Sequence, residues 1–349
     1  MITNWTKLIS ESYVSDVLKQ GKPKVLIVTL DNIWNFTSEE LEPLEKMADV
    51  KWIQTKNLSQ EKLAELCINY QHLMINVDVL KSDPSKMERL DEKFYNHQNV
   101  KSLISLNQDM TDCDYFNPHM GLKNNLLIQD CPDTTTESVA ESTICEILLH
   151  TRGRHLAYID EMKKEDVQCR TGINLKGKTA GIIGYGNIGS TVANILQGFG
   201  MNILVYDIVN VHHEITPIEK VFEKSDVITV HIPTLLRSGK SNKNFIDSNL
   251  INLCKGSILI NLSTDVIVNP VAAAAALKSK KLIGYSTQKN YSEIFAEKYI
   301  SRFKGIDQFH LSPCSFDSKE SRENIKKTWI NNTITMIQGN PKNVWNHRT

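Results

Sequence analysis

The chain has 349 residues, too many for one ordinary hydrophobic core, so two domains are expected. Lys and Arg together number 40 and so do Asp and Glu, which argues against a chain-wide attraction to nucleic acid or to an acidic membrane. No apolar run reaches the ~18–20 residues of a membrane helix, the N-terminus lacks an apolar signal core, and seven cysteines lie scattered without a C-x-x-C pair; a cytoplasmic protein with neither a disulfide framework nor a metal site is expected.

In chain order, KVLIVTL (24–30) reads as a strand, and SEELEPLEKMA (38–48) as a helix capped by Ser38 and shortened or bent by Pro43. VKWIQT (50–55) is a strand, SQEKLAELCINY (59–70) a helix opened by Ser59, and HLMINV (72–77) and SLISL (102–106) are further strands. The alternation implies an α/β unit with a parallel sheet up to about residue 130. A long helical stretch at 137–164 follows. Strands then recur at TAGIIG (179–184), NILVYD (202–207), VITVHI (227–232), SILINL (257–262), LIGYST (282–287) and FHLS (309–312), a six-strand doubly wound pattern. The five alanines at 272–276 sit in a helix expected to show a charged outer face, and the tail at 318–338 is a helix ending at Gly339.

Gly184, Gly186 and Gly189 form G-x-G-x-x-G between an apolar strand and a helix, with Asp207 at the end of the next strand. That context, more than the three glycines, points to a dinucleotide. The glycines allow a tight turn, a close backbone approach to pyrophosphate and close helix–strand packing. Asp207 is placed to accept from ribose hydroxyls, and Ile208, Val209 and Asn210 supply no cation for a 2′-phosphate, so NAD is expected over NADP.

LKGKTAGIIGYGNIGSTVANILQGFG (175–200), DVITVHIP (226–233), KGSILIN (255–261), ESVAES (137–142) and GNPKNVWN (339–346) resemble the D-isomer-specific 2-hydroxyacid dehydrogenase family. The resemblance implies two Rossmann-like domains with doubly wound parallel sheets. Residues 1–130 with 312–349 are then a flavodoxin-like substrate domain and 131–311 the dinucleotide-binding domain. It further implies NAD held in the cleft, a small-molecule substrate and a homodimer. Asn187, Ile188, Ile208, His231, Pro233, Ser263 and Gln288 complete the candidate cofactor-binding set.

The family's catalytic Arg, Glu and His are matched only in part. Thr264 stands in the Arg place, followed by Asp265, and a neutral hydroxyl cannot grip a carboxylate bidentately. Cys314 stands in the His place, and a thiol is a poor proton shuttle near neutrality. Glu293 falls on the Glu place by ungapped counting, as a retained acid or as a solvated surface residue. The family's glycine-rich carboxylate loop reads NQDMTDCD (107–114) here, with Asp109 adding negative charge. Lys289 and His310 are the other replacement candidates, against a solvated loop lysine and a strand histidine bonded to backbone. Two functions stay open: an NAD-dependent oxidoreductase with a non-standard substrate or mechanism, or an inactive NAD-binding protein acting as sensor or scaffold.

Overall fold

The computed structural model describes residues 21–345 apart from 31–33, 77–80, 84–85, 88–89, 97–98, 106–120, 122, 154–170, 210–211, 235, 237–239, 289–299 and 313–314. The chain forms two compact units, Met1–Thr134 with Lys319–Thr349, and Thr135–Ser318. Residues 312–318 thus group with the dinucleotide-binding unit. Within that unit, Ser142 donates to the Ser315 carbonyl at 2.9 Å and Ser138 meets Ser318 at 2.7 Å.

The terminal unit contains strands β1 (Lys24–Leu30), β2 (Asp49–Thr55), β3 (His72–Ile75), β4 (Lys81–Asp83), β5 (Lys86–Met87), β6 (Ser102–Ser105) and β7 (Leu127–Gln129). β4 and β5 pair with each other, and the other five make a parallel sheet in the order β2-β1-β3-β6-β7, the flavodoxin-like winding. Adjacent residues leave opposite faces. Leu26, Val28, Leu73 and Leu103 pack with Leu63, Ala64 and Cys67 of helix α2 (Gln60–Cys67), which Ser59 caps as expected. Val25, Ile27, Met74 and Ile104 pack instead with Leu44 of α1 (Ser38–Glu45) and with Ile325 and Trp329 of the C-terminal helix (Lys319–Ile337). The Trp329 indole N–H donates to the Ile104 carbonyl at 2.8 Å, and Asn332 donates to the Asp130 carbonyl at 2.8 Å. The described tryptophans, Trp34, Trp52, Trp329 and Trp345, all belong to this unit. The cap of α1 is Thr37, not Ser38: Thr37 accepts from the Glu40 N–H and Glu40 reaches back to the Thr37 N–H at 2.8 Å, a capping box that only this register allows.

The second unit opens with α3 (Thr136–Arg152), which stops at Gly153 in the left-handed region (φ 58°); the remainder of the helical stretch expected to 164 lies outside the described residues. Its sheet is β8 (Thr179–Ile183), β9 (Asn202–Tyr206), β10 (Val227–Val230), β11 (Ser257–Asn261), β12 (Leu282–Gln288) and β13 (Phe309–Ser312). All pairs are parallel, in the order β13-β12-β11-β10-β8-β9. Alternate residues again serve two cores. Ala180, Ile182, Ile258 and Ile260 meet α3 and α4 (Asn187–Gly198), while Ile183, Ile228, Leu259 and Tyr285 meet α5 (Ile218–Lys224) and α6 (Pro270–Lys278). Ala273, Ala274 and Ala276 are buried in α6, so most of the alanine run faces the core in place of the expected charged face. Among the described residues no helix is long and apolar enough to cross a membrane.

Candidate functional site

After β8 the chain turns at Gly184 with φ +89°, and a Cβ on Gly189 would collide with the Gly184 carbonyl oxygen. Glycine at both places lets α4 begin against the end of the strand. Gly186 is the N-cap of α4 and brings no side chain to satisfy its first-turn N–H groups, and the first turn contains no acidic residue. The helix end is therefore an open anion cradle with its positive dipole end outward. Asn187 and Ile188 form the first turn behind it, Ile188 packing on the α3–α4 core.

Asp207 follows β9 and fastens this loop. Its carboxylate accepts the Tyr185 N–H at 2.7 Å and the Val209 N–H at 3.1 Å. Each oxygen has capacity for a second hydrogen bond from a diol. Ile208 beside it is 65 % exposed, an apolar surface next to an acceptor.

Strand order reverses between β8 and β10, the position where open α/β sheets bind ligands. His231 lies there, its carbonyl so near Gly184 that a Cβ on Gly184 would come within 2.5 Å of it. The His231 Nε2 is shut off from water with no hydrogen-bond partner among the described residues, and burial pushes the ring pKa down to about 3. A neutral, orphaned ring nitrogen at the switch point is a place for a bound group to complete.

The remaining strand ends are tied together. Asn242 donates to the Pro233 carbonyl at 2.8 Å, and Ser263 donates to the Val230 carbonyl at 3.1 Å. The Thr264 carbonyl accepts from Asn261 at 2.8 Å, and the Thr264 hydroxyl meets that of Thr234 at 2.5 Å. Gln288, the last residue of β12, accepts from the Ser315 hydroxyl. Asp265 is buried at the start of a 3-10 turn. Glu293, Lys289, Cys314 and the 107–114 loop lie outside the described residues.

His310 stands apart from these strand ends. It pairs with Ser286 inside the sheet, two register steps before the Gln288–Ser312 pair. Its Nδ1 lies 3.3 Å from Glu146 Oε2, which gives it a carboxylate partner from α3. Glu146 and His150 were not singled out by the sequence reading. The available signal was two polar residues at i and i+4 next to Ile144 and Ile147, the buried positions of one helix face. Burial alone would raise the Glu146 pKa, but hydrogen bonds from His310, Ser286 and Ser312 and the His310 charge hold it below the usual carboxylate value.

Comparison with known proteins agrees with this geometry. The family described as D-isomer specific 2-hydroxyacid dehydrogenase, NAD binding domain, matches residues 145–311. D-3-phosphoglycerate dehydrogenase of Haemophilus influenzae is 32 % identical over 206 residues, 56 % of this chain and 49 % of that protein. The chain thus spans about half the length of that relative. Glyoxylate reductase of Pyrococcus furiosus is 26 % identical over 341 residues, covering 91 % of this chain and 93 % of the relative. Among solved structures, an acyclic imino acid reductase (Bsp5) in complex with NADPH and D-Arg superposes with TM-score 0.76 at 20 % identity, covering 92 % of this chain and 99 % of that one. Residues 145–311 thus match the NAD-binding domain of the D-isomer specific 2-hydroxyacid dehydrogenase family.

Proposed function

We propose that the protein is an NAD(H)-dependent oxidoreductase acting at a CH–OH/C=O centre, with a substrate other than an ordinary 2-keto acid. The observation that carries this reading is the contrast between a complete nucleotide cradle and Thr264, whose short hydroxyl is turned onto Thr234. In this reading the α4 N-terminus at Gly186, Asn187 and Ile188 receives the pyrophosphate. Asp207 receives the ribose diol and repels a 2′-phosphate, and His231 contributes its orphaned ring nitrogen. The nicotinamide, when bound, supplies or accepts hydride; the chain must bind and orient the substrate and move one proton to or from its oxygen.

The family's Arg matters because a 2-keto acid brings a carboxylate and develops a second negative charge on oxygen. Thr264 offers no charge to either. A neutral or cationic substrate suits the site better, and imines belong in the first screen beside carbonyls. The test is NADH oxidation with pyruvate, glyoxylate, hydroxypyruvate and bulkier 2-keto acids, followed by neutral and cationic carbonyl and imine compounds, at high enzyme concentration. Turnover of a 2-keto acid at about one per second or more overturns the proposed substrate class. Tight NAD binding with no turnover of any compound in a broad screen favours a sensor or scaffold.

A further inference from the structure

Away from the nucleotide cradle, the second unit contains a cluster of metal-ligating side chains that cofactor binding leaves unexplained. Glu146 and His150 leave the same face of α3, one turn apart. His310 reaches them from β13, and Ser286 from β12 lies between. One ligand atom from each of Glu146, His150 and His310 falls within 4.8 Å of the other two.

The hydrogen bonds show what the centre of the cluster is shaped to hold. Ser286 donates its single hydrogen to Glu146 Oε2 at 2.7 Å, so its Oγ accepts from His150 Nε2 at 2.8 Å. His310 Nδ1 donates to the same carboxylate oxygen at 3.3 Å. Three polar hydrogens therefore point into one small volume beside a carboxylate, where a cation can take their place. The position of His150 depends on Gly284: a Cβ there would sit 2.6 Å from His150 Nδ1. A side chain at position 284 would push the ring out of the cluster.

We propose that Glu146, His150 and His310 bind one divalent transition metal ion of the zinc class, with the Ser286 hydroxyl or a water in the fourth position. Two imidazoles and one carboxylate make a nitrogen-rich, borderline set that suits Zn²⁺ or Co²⁺ better than the all-oxygen preference of Mg²⁺ or Ca²⁺. The histidine rings now stack at 4.1 Å with 12° between their planes. Ring lone pairs lie in the ring planes, so loading tilts one ring and draws the ligand atoms to about 3.3 Å apart, the edge of a tetrahedron with ~2.0 Å bonds. The bound ion ties the first helix of this unit to its last strand, independently of the nucleotide cradle.

The experiment uses the full chain, stripped with a chelator, dialysed and titrated with Co²⁺ under reducing conditions. One saturable equivalent with the visible band of four-coordinate nitrogen and oxygen ligation, displaced by Zn²⁺, is expected. Zn²⁺ should also raise the calorimetric melting temperature of this unit. The pair His150→Gln with His310→Gln should weaken Co²⁺ binding at least about hundredfold, whereas Cys145→Ser, which removes the exposed thiol beside Glu146, should not. No saturable equivalent, an equivalent that persists in the double variant, or one lost with Cys145→Ser overturns the proposal. If the double variant does not fold, Cu²⁺ electron paramagnetic resonance on the unaltered chain decides. Coupling to two imidazole nitrogens supports the site, and its absence refutes it.

Discussion

Acidification from pH 7 to pH 5 is expected to weaken the terminal unit through His72, and His72→Gln to remove that sensitivity. His72 is fully buried in β3 with its Nδ1 2.7 Å from the Ser102 hydroxyl. Burial first, and then the charge of Lys101, push its pKa down to about 3, against about 6.5 in an unfolded chain. Between those values the unfolded chain takes up a proton that the folded unit refuses. The contribution is therefore complete above about pH 6.5 and is lost as pH falls toward the folded value. At pH 5 the difference is roughly 1.5 pKa units, or about 2 kcal/mol at ~1.36 kcal/mol per unit. Because the second unit, Thr135–Ser318, contains no tryptophan, fluorescence during urea unfolding follows the terminal unit selectively. His72→Gln will lower stability at both pH values by disturbing the Ser102 contact, so the readout is the change between them. The unaltered chain should lose about 2 kcal/mol more than the variant on going from pH 7 to pH 5. Equal losses would refute the assignment of a neutral, buried His72.

Asp207→Ala should weaken NAD and narrow its advantage over NADP, since both the diol acceptor and the fastening of the Gly184 loop are lost; calorimetry with the two nucleotides checks this. Gly189→Ala should destabilise the second unit by about 1–3 kcal/mol and reduce nucleotide affinity, because its Cβ collides with the Gly184 carbonyl; unchanged melting and affinity would show that the helix shifts freely. Trp329→Ala should cost about 3–5 kcal/mol in the terminal unit, where the indole is fully buried and bonded to Ile104, as measured by urea unfolding. Thr264→Arg combined with Cys314→His should raise 2-keto acid reduction above the unaltered chain in the NADH assay if those two side chains are what the site lacks.

The order of strands, the glycine turn and Asp207 were legible in the sequence because each rests on a local rule: apolar runs between breakers, a fixed glycine spacing, an acid at a strand end. β7 was not, since Leu127–Gln129 is three residues long and too short to show a period. The end of α3 was marked by Gly153, but the amphipathic pattern beyond it reads as helix and masks the stop. The cluster around Glu146 was hidden for a different reason. Its members come from positions 146, 150, 286 and 310, and only the packing of α3 across β12 and β13 joins them. Thr264 was found by counting along a resemblance, while its partner Thr234 belongs to a different loop and is visible only in three dimensions.

The terminal unit takes its last helix from beyond the whole nucleotide-binding unit, and this sets an order on synthesis. The sheet face formed by Val25, Ile27, Met74 and Ile104 can be made early but is closed only when Ile325 and Trp329 arrive. The intervening Thr135–Ser318 unit has its own cores and can fold as it emerges. At ~5–20 residues per second, translating that stretch takes about 10–40 s. During that interval an apolar face waits beside the ribosome without its cover. A released chain truncated at residue 318 should therefore hold a finished nucleotide-binding unit and an aggregation-prone terminal one, and chaperones that shield apolar surface should bind it in preference to the full-length chain.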